Sequence, residues 1–325
     1  MGRPLGRPVD CLEGECAMEF ETCVRCSELI LMEGALGQRL KGEFHLAPHE
    51  WVALADMIYR PAGRKALEQL WGEYRDIAAR YELPLLVTTP TRRADQARVQ
   101  RSGYPDTIVR DNAAFLCRLR EQWSGPVYVG GLMGCRGDAY TGMGALSESE
   151  ALAFHRWQAE QFRQTEVDFL MAGIMPTVPE AAGMARAMAE TGLPYLISFT
   201  IQEDGRLIDG AAISDAIEHI DGVAGTPPLG YMTNCVHPSI LRRALAQPCN
   251  QTEQVRRRFL GVQANAAANT YVELERGVGL RPSKPKALAA EMAALREKYG
   301  LKLFGGCCGT DGTYLEAIAR RLTRK

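Results

Sequence analysis

Eight short apolar runs recur along the chain, at 29–33, 84–89, 126–130, 167–171, 194–200, 230–234, 259–263 and 301–304. Strand-length runs that are apolar almost throughout have no face to offer water, so they read as strands of a parallel sheet covered on both sides by helices. Apolar residues recur at helical spacing between them, at 147–164, 179–191, 209–220, 285–299 and 311–322. Ser147 and Glu150 have capping-box spacing, and Pro285 suits a first helical turn. Eight strand–helix units predict an α/β fold, a (β/α)8 TIM-type barrel; an open doubly wound sheet would share the local pattern. Of the 325 residues, 29–325 suit one such domain, because a barrel takes about 250 residues plus insertions. Residues 1–28 stand outside the alternation and are expected to form a cysteine-containing N-terminal extension, poorly ordered.

Composition narrows the partners. The 38 Lys and Arg against 39 Asp and Glu leave a net charge of −1, so no global positive field exists to collect a nucleic acid. With 46% hydrophobic and 24% charged residues, the chain is neither disordered nor fibrous. The first ten residues hold no apolar signal-like run, and the longest stretch without acid, lysine or arginine, 222–241, is interrupted by Pro227, Pro228, Asn234 and Pro238. A cytoplasmic location with no membrane partner is expected, and a homo-oligomer is compatible with the sequence. Ten cysteines in such a setting suggest metal ligation or thiol chemistry rather than a disulfide framework.

Three cysteines stand out. Gly305-Gly306-Cys307-Cys308-Gly309-Thr310 follows the eighth strand run. Neighbouring strand residues point to opposite faces, so two adjacent thiols reach one point only through a turn, which the glycines permit. Cys235 ends the sixth run, and in a barrel the ends of strands six and eight share one rim. Three thiolates with an open fourth position suit a catalytic Zn2+ that could bind a substrate thiol and keep it ionised at neutral pH.

On GGCCGT (305–310), TNCVHP (233–238), LILMEGALGQRL (29–40), GLMGCRGDAYTGMGALSESEALAFHRWQAEQF (131–162), LISFT (196–200) and the Asp-Gly at 209–210, the chain resembles the homocysteine S-methyltransferase family, zinc-dependent barrel enzymes that methylate homocysteine or selenocysteine. The resemblance covers most of 29–322. It implies Cys235, Cys307 and Cys308 as zinc ligands, no catalytic side chain beyond the zinc-activated substrate thiol, and a place in methionine biosynthesis. The partners implied are a small-molecule thiol and a methyl donor. Glu33 and Gly34 occupy the family's Asp-Gly element, so Glu33 is expected to hold the substrate's polar end and amides near Gly34 and Ala35 its carboxylate, with Asn234 shaping the site beside the metal. Without a folate or cobalamin module the donor is expected to be a small sulfonium or ammonium compound, such as S-methylmethionine or S-adenosylmethionine; a separate corrinoid protein is the other route.

Two stretches depart from the family pattern. Gly173 stands where the family has a glutamate near the substrate's ammonium, and Thr88-Thr89-Pro90-Thr91-Arg92-Arg93 replaces an Asn-Thr/Ser-Tyr-Gln-like element. Arg92 or Arg93 could attract an anion, and Glu33 or Glu203 could replace the lost charge. The alternatives are therefore a related zinc enzyme acting on another thiol or methylated compound, or a non-catalytic zinc- or thiol-binding protein.

The remaining signals are weaker. Cys11, Cys16, Cys23 and Cys26 read as a tail of free thiols, with an accessory zinc site as the alternative. Cys117 and Cys249 read as inert, and Cys135 as lying on the catalytic rim. His237 is expected to cap a helix or line the pocket, while His45, His49, His155 and His219 take surface or helix positions. Arg256-Arg257-Arg258 reads as a solvated face.

Overall fold

The computed structural model describes residues 18–269, 279 and 281–323. Eight parallel strands close into a barrel in chain order: β1 (Ile30–Met32), β2 (Leu85–Thr88), β3 (Val127–Gly134), β4 (Phe169–Met175), β5 (Tyr195–Phe199), β6 (Gly230–Val236), β7 (Phe259–Ala264) and β8 (Leu303–Gly306). β1 pairs with both β2 and β8, so no edge remains and the open-sheet alternative is excluded.

Alternation along the strands sorts the two cores. Ile30 and Met32 of β1, and Phe169 and Met171 of β4, pack inside the barrel with Leu86, Leu196, Met232 and Leu303. Leu31 and Leu170 point outward and join the larger layer beneath the helices. β3 and β4 run beyond their predicted ends, through Gly131 and Gly173 respectively. Glycine is required at position 130, where a Cβ would stand 2.4 Å from the Phe169 ring. Gly305 and Gly306, expected beyond the eighth strand, belong to it and pair with Gln263 and Ala264 of β7.

Within the expected N-terminal extension, residues Phe20–Cys26 form a helix that inserts Phe20, Cys23 and Val24 among the barrel's interior side chains. Phe20 stacks on Phe169 at 4.2 Å between ring centroids. Packing of the barrel thus begins before residue 29. Cys11 and Cys16 lie outside the described residues; Cys23 is buried and Cys26 exposed.

Several minor expectations are refined. The capping box at Ser147 and Glu150 is present, and Pro285 opens the helix Pro285–Tyr299. Arg258 is not part of a solvated face: it is half-buried, bonds both oxygens of Asp221 and lies over the Tyr231 ring, because the last helical turn before β7 faces the helix Ile213–Val223. His155 is fully buried in the helix Glu148–Arg163, 3.3 Å from a Glu180 oxygen. Among the described residues no helix is long and apolar enough to cross a membrane.

Candidate metal and thiol site

The C-terminal ends of β6 and β8 bring Cys235, Cys307 and Cys308 together, with sulfur atoms all within 4.8 Å of one another. Each reaches that point by an irregularity in the backbone. Cys235 has φ of +60°, and the β6–β7 register shifts between Asn234 and Val236. Such a bulge re-aims one side chain without ending the strand. After β8, Gly309 at φ of +79° closes the turn, and Thr310 Oγ1 donates to the Cys307 carbonyl at 2.7 Å. Gly306 has no room for a Cβ, which would stand 2.2 Å from Thr310 Oγ1.

Asn265, just beyond β7, joins the two cysteine segments. Its Nδ2 donates to the Cys235 carbonyl at 2.7 Å, and its Oδ1 accepts from the Cys308 amide at 3.1 Å. Asn234 braces the other side: its Oδ1 accepts from the Ile174 amide at 3.2 Å and from Ser198 Oγ. Ile174 is itself at φ of +56°, where the β4–β5 register shifts. Asn234 therefore satisfies an amide released by one bulge while preceding the cysteine of the other.

The three sulfurs hydrogen-bond one another. Hydrogen bonds from Cys307 and Cys308 hold Cys235 well below the usual thiol range, with Tyr140 and Arg92 acting in the same direction against burial. The same bonds push Cys307 well up, and Cys308 is pushed up to about 12, chiefly by its bond to Cys235. Ionising all three sulfurs so close together would therefore call for a cation. The donor set fits zinc: Cys235 Sγ and Cys308 Sγ are 3.9 Å apart, while tetrahedral Zn–S bonds of about 2.3 Å separate sulfurs by about 3.8 Å.

Glu33 lies just beyond β1, buried, with both oxygens engaged. Oε2 accepts from Trp71 Nε1 at 2.7 Å; Oε1 accepts from the Thr88 amide at 2.9 Å and from its hydroxyl. Burial nevertheless pushes its carboxyl up to about 7. Gly34 packs on Tyr74, whose hydroxyl donates to the Ala35 carbonyl at 2.7 Å. The amides of Gly34 and Ala35 have no hydrogen-bond partner among the described residues.

Other expectations fall where the packing puts them. Glu203 is exposed and its carboxylate is paired with Arg243 rather than buried with the cysteines. His237 caps the helix Pro238–Ala246, accepting from the Ser239 amide, and is not part of the sulfur cluster. Cys135 is buried on the β3 side, where burial pushes its thiol up to about 11. Cys117 is likewise buried and pushed up to about 11, as an inert core thiol should be. Sequence reasoning missed Asn265 and Tyr140. Tyr140 lies in the loop after β3 and hydrogen-bonds the Cys235 sulfur. Its phenol is raised above its ordinary value by burial and by the cysteines, which keeps it a donor.

Residues 30–322 match the family model described as homocysteine S-methyltransferase. The homocysteine S-methyltransferase YbgG of Bacillus subtilis is 26% identical over 195 residues, 56% of this chain and 56% of that protein. The mouse S-methylmethionine–homocysteine S-methyltransferase BHMT2 is 26% identical over 174 residues, 51% of this chain and 48% of that protein. The matched stretch thus spans about half the length of these relatives. The oxidized form of the Escherichia coli homocysteine methyltransferase MmuM has the same fold, with a TM-score of 0.73 at 19% identity over 92% of this chain and 97% of that one.

Proposed function

Because the chain belongs to the homocysteine S-methyltransferase family, we propose that it is a zinc-dependent S-methyltransferase, carrying a methyl group from a small sulfonium or ammonium donor to a thiol such as homocysteine. The observation that carries this reading is the convergence of Cys235, Cys307 and Cys308 on one point at the barrel rim, with no His, Asp, Glu or further Cys joining them among the described residues. Held by these three sulfurs, zinc would supply an open coordination position that favours the thiolate form of an acceptor.

The chain's own residues do the positioning. Asn265 and Asn234 fix the two cysteine segments against β7, β4 and β5, and Tyr140 donates to the Cys235 sulfur. The amides of Gly34 and Ala35 are the groups we assign to a substrate carboxylate, and Glu33 forms the polar wall beside them. In the transfer the acceptor sulfur forms a bond to the methyl carbon as the donor's carbon–sulfur or carbon–nitrogen bond breaks. The electron pair leaves with the donor, which departs as a neutral thioether or amine.

The test is transfer of labelled methyl from S-methylmethionine or S-adenosylmethionine to L-homocysteine by zinc-loaded protein. Labelled thioether formed by the wild type and lost in Cys308→Ala supports the reading. Bound zinc without transfer from either donor to any short thiol supports the non-catalytic alternative.

A further inference from the structure

The polar groups near the thiol cluster are unevenly matched. Among the half-buried arginines, Arg39, Arg60, Arg98, Arg120, Arg186 and Arg258 each meet a carboxylate. Arg92 and Arg93 are half-buried too, yet neither makes a side-chain hydrogen bond or ion pair among the described residues. They follow β2 in a segment tied to β3 by Thr91 Oγ1, which donates to the Leu132 carbonyl at 2.8 Å. The Arg92 stem packs on Gly134 at the end of β3, where a Cβ would stand 2.5 Å from Arg92 Cγ. From there its charge acts on Cys235 and Cys308, and that of Arg93 on Cys135 and Asp138. Burial and the neighbouring arginines Arg98 and Arg92 lower the Arg93 pKa, the mark of a cation short of a counter-charge.

The nearby acids each already hold a partner. Both Glu33 oxygens are taken by Trp71 and Thr88. Asp138 Oδ1 accepts from the amides of Tyr140 and Thr141, which fastens the loop after β3. Glu180 is fully buried against the Arg136 amide and His155. Position 173 offers no side chain, and one added there would start 2.9 Å from Leu132 Cδ1. Arg92 and Arg93, the nearby charged side chains with no hydrogen bond or ion pair at all among the described residues, are both cations, and the two free amides of Gly34 and Ala35 are donors as well.

We infer that this site recognises its acceptor by an anionic group held through Arg92, and that the acceptor class is short thiol carboxylic acids with no need for an ammonium group. This rests on the S-methyltransferase reading and narrows it. Homocysteine belongs to the class by virtue of its thiol and carboxylate, but Gly173 offers its amine no carboxylate.

The test is calorimetric titration of zinc-loaded full-length protein with three probes: 4-sulfanylbutanoate, L-homocysteine and 3-sulfanylpropan-1-amine. Expected are binding of 4-sulfanylbutanoate at least as tight as L-homocysteine, and binding of the amine about tenfold weaker or worse, the loss of a charge-assisted contact. Arg92→Gln should weaken 4-sulfanylbutanoate about tenfold or more at unchanged zinc content, with Arg92→Lys recovering part of the loss. L-Homocysteine binding about tenfold tighter than its amine-free analogue overturns the inference and leaves the methyltransferase reading intact. Failure of every thiol to bind the zinc-loaded protein overturns both.

Discussion

The site depends on single residues placed where the strands end. Cys235 reaches the cluster only because its backbone adopts φ of +60°, an uncommon conformation for a residue with a Cβ. Asn265 holds the carbonyl of that residue and the amide of Cys308 at once. Asn265→Ala should lower zinc affinity about 10- to 100-fold, as loss of an outer-shell partner does, in a chelator competition assay. Glu33 supports a second prediction. Its folded-state pKa of about 7 lies above the ordinary 4.5, so on raising pH the unfolded chain loses this proton first. The contribution of this group to stability is full below the unfolded value and falls as pH rises toward the folded one, by about 3 kcal/mol in all. Thermal melts of Glu33→Gln should show a flatter decline than wild type between about pH 5 and pH 8; an identical slope would show that Glu33 is not the group responsible. The three cysteines were legible because glycine-flanked adjacent thiols have few uses. Asn265 and Tyr140 were not, because their contacts arise only when loops from different strands meet across the rim.

At the scale of elements, the strand–helix alternation was readable because buried parallel strands need continuous apolar runs. Strand ends were less so where glycine intervened. The third apolar run ends at Gly130, yet β3 continues through Gly131 to Gly134, with the Phe169 and Phe162 rings filling the space that side chains at 130 and 131 would occupy. The helix Phe20–Cys26 was hidden by its position before the first strand, in a stretch with too few residues to show a period. Its role is to fill the barrel interior. Phe20→Ala should cost about 3 kcal/mol by removing a buried ring from that core, measured by urea unfolding. Zinc binding should be unchanged, since the cluster lies on strand ends that Phe20 does not touch. The loop after β3 has its own support: Glu180 accepts from the Arg136 amide at 2.6 Å and lies beside His155, and Glu180 and His155 are both fully buried.

At the scale of the whole molecule, barrel closure is what makes a site from distant sequence. Cys235 and Cys308 are separated by 73 positions; the neighbouring strands β6, β7 and β8 bring them to one rim, and closure through the β1–β8 pair brings Glu33 and Gly34 to the same rim. Family resemblance and geometry agree on those cysteines, whereas the acceptor class inferred above follows from Gly173, Arg92 and Arg93. The central claim is that three cysteines hold zinc and leave one position for the acceptor's sulfur. Zinc K-edge X-ray absorption of the zinc-loaded protein tests it directly, before and after addition of L-homocysteine and of 4-sulfanylbutanoate in turn. The account predicts three sulfur neighbours at about 2.3 Å with one lighter ligand, becoming four sulfurs when an acceptor thiol is added. Four sulfurs from the outset, or a sulfur count that neither thiol changes, would contradict it.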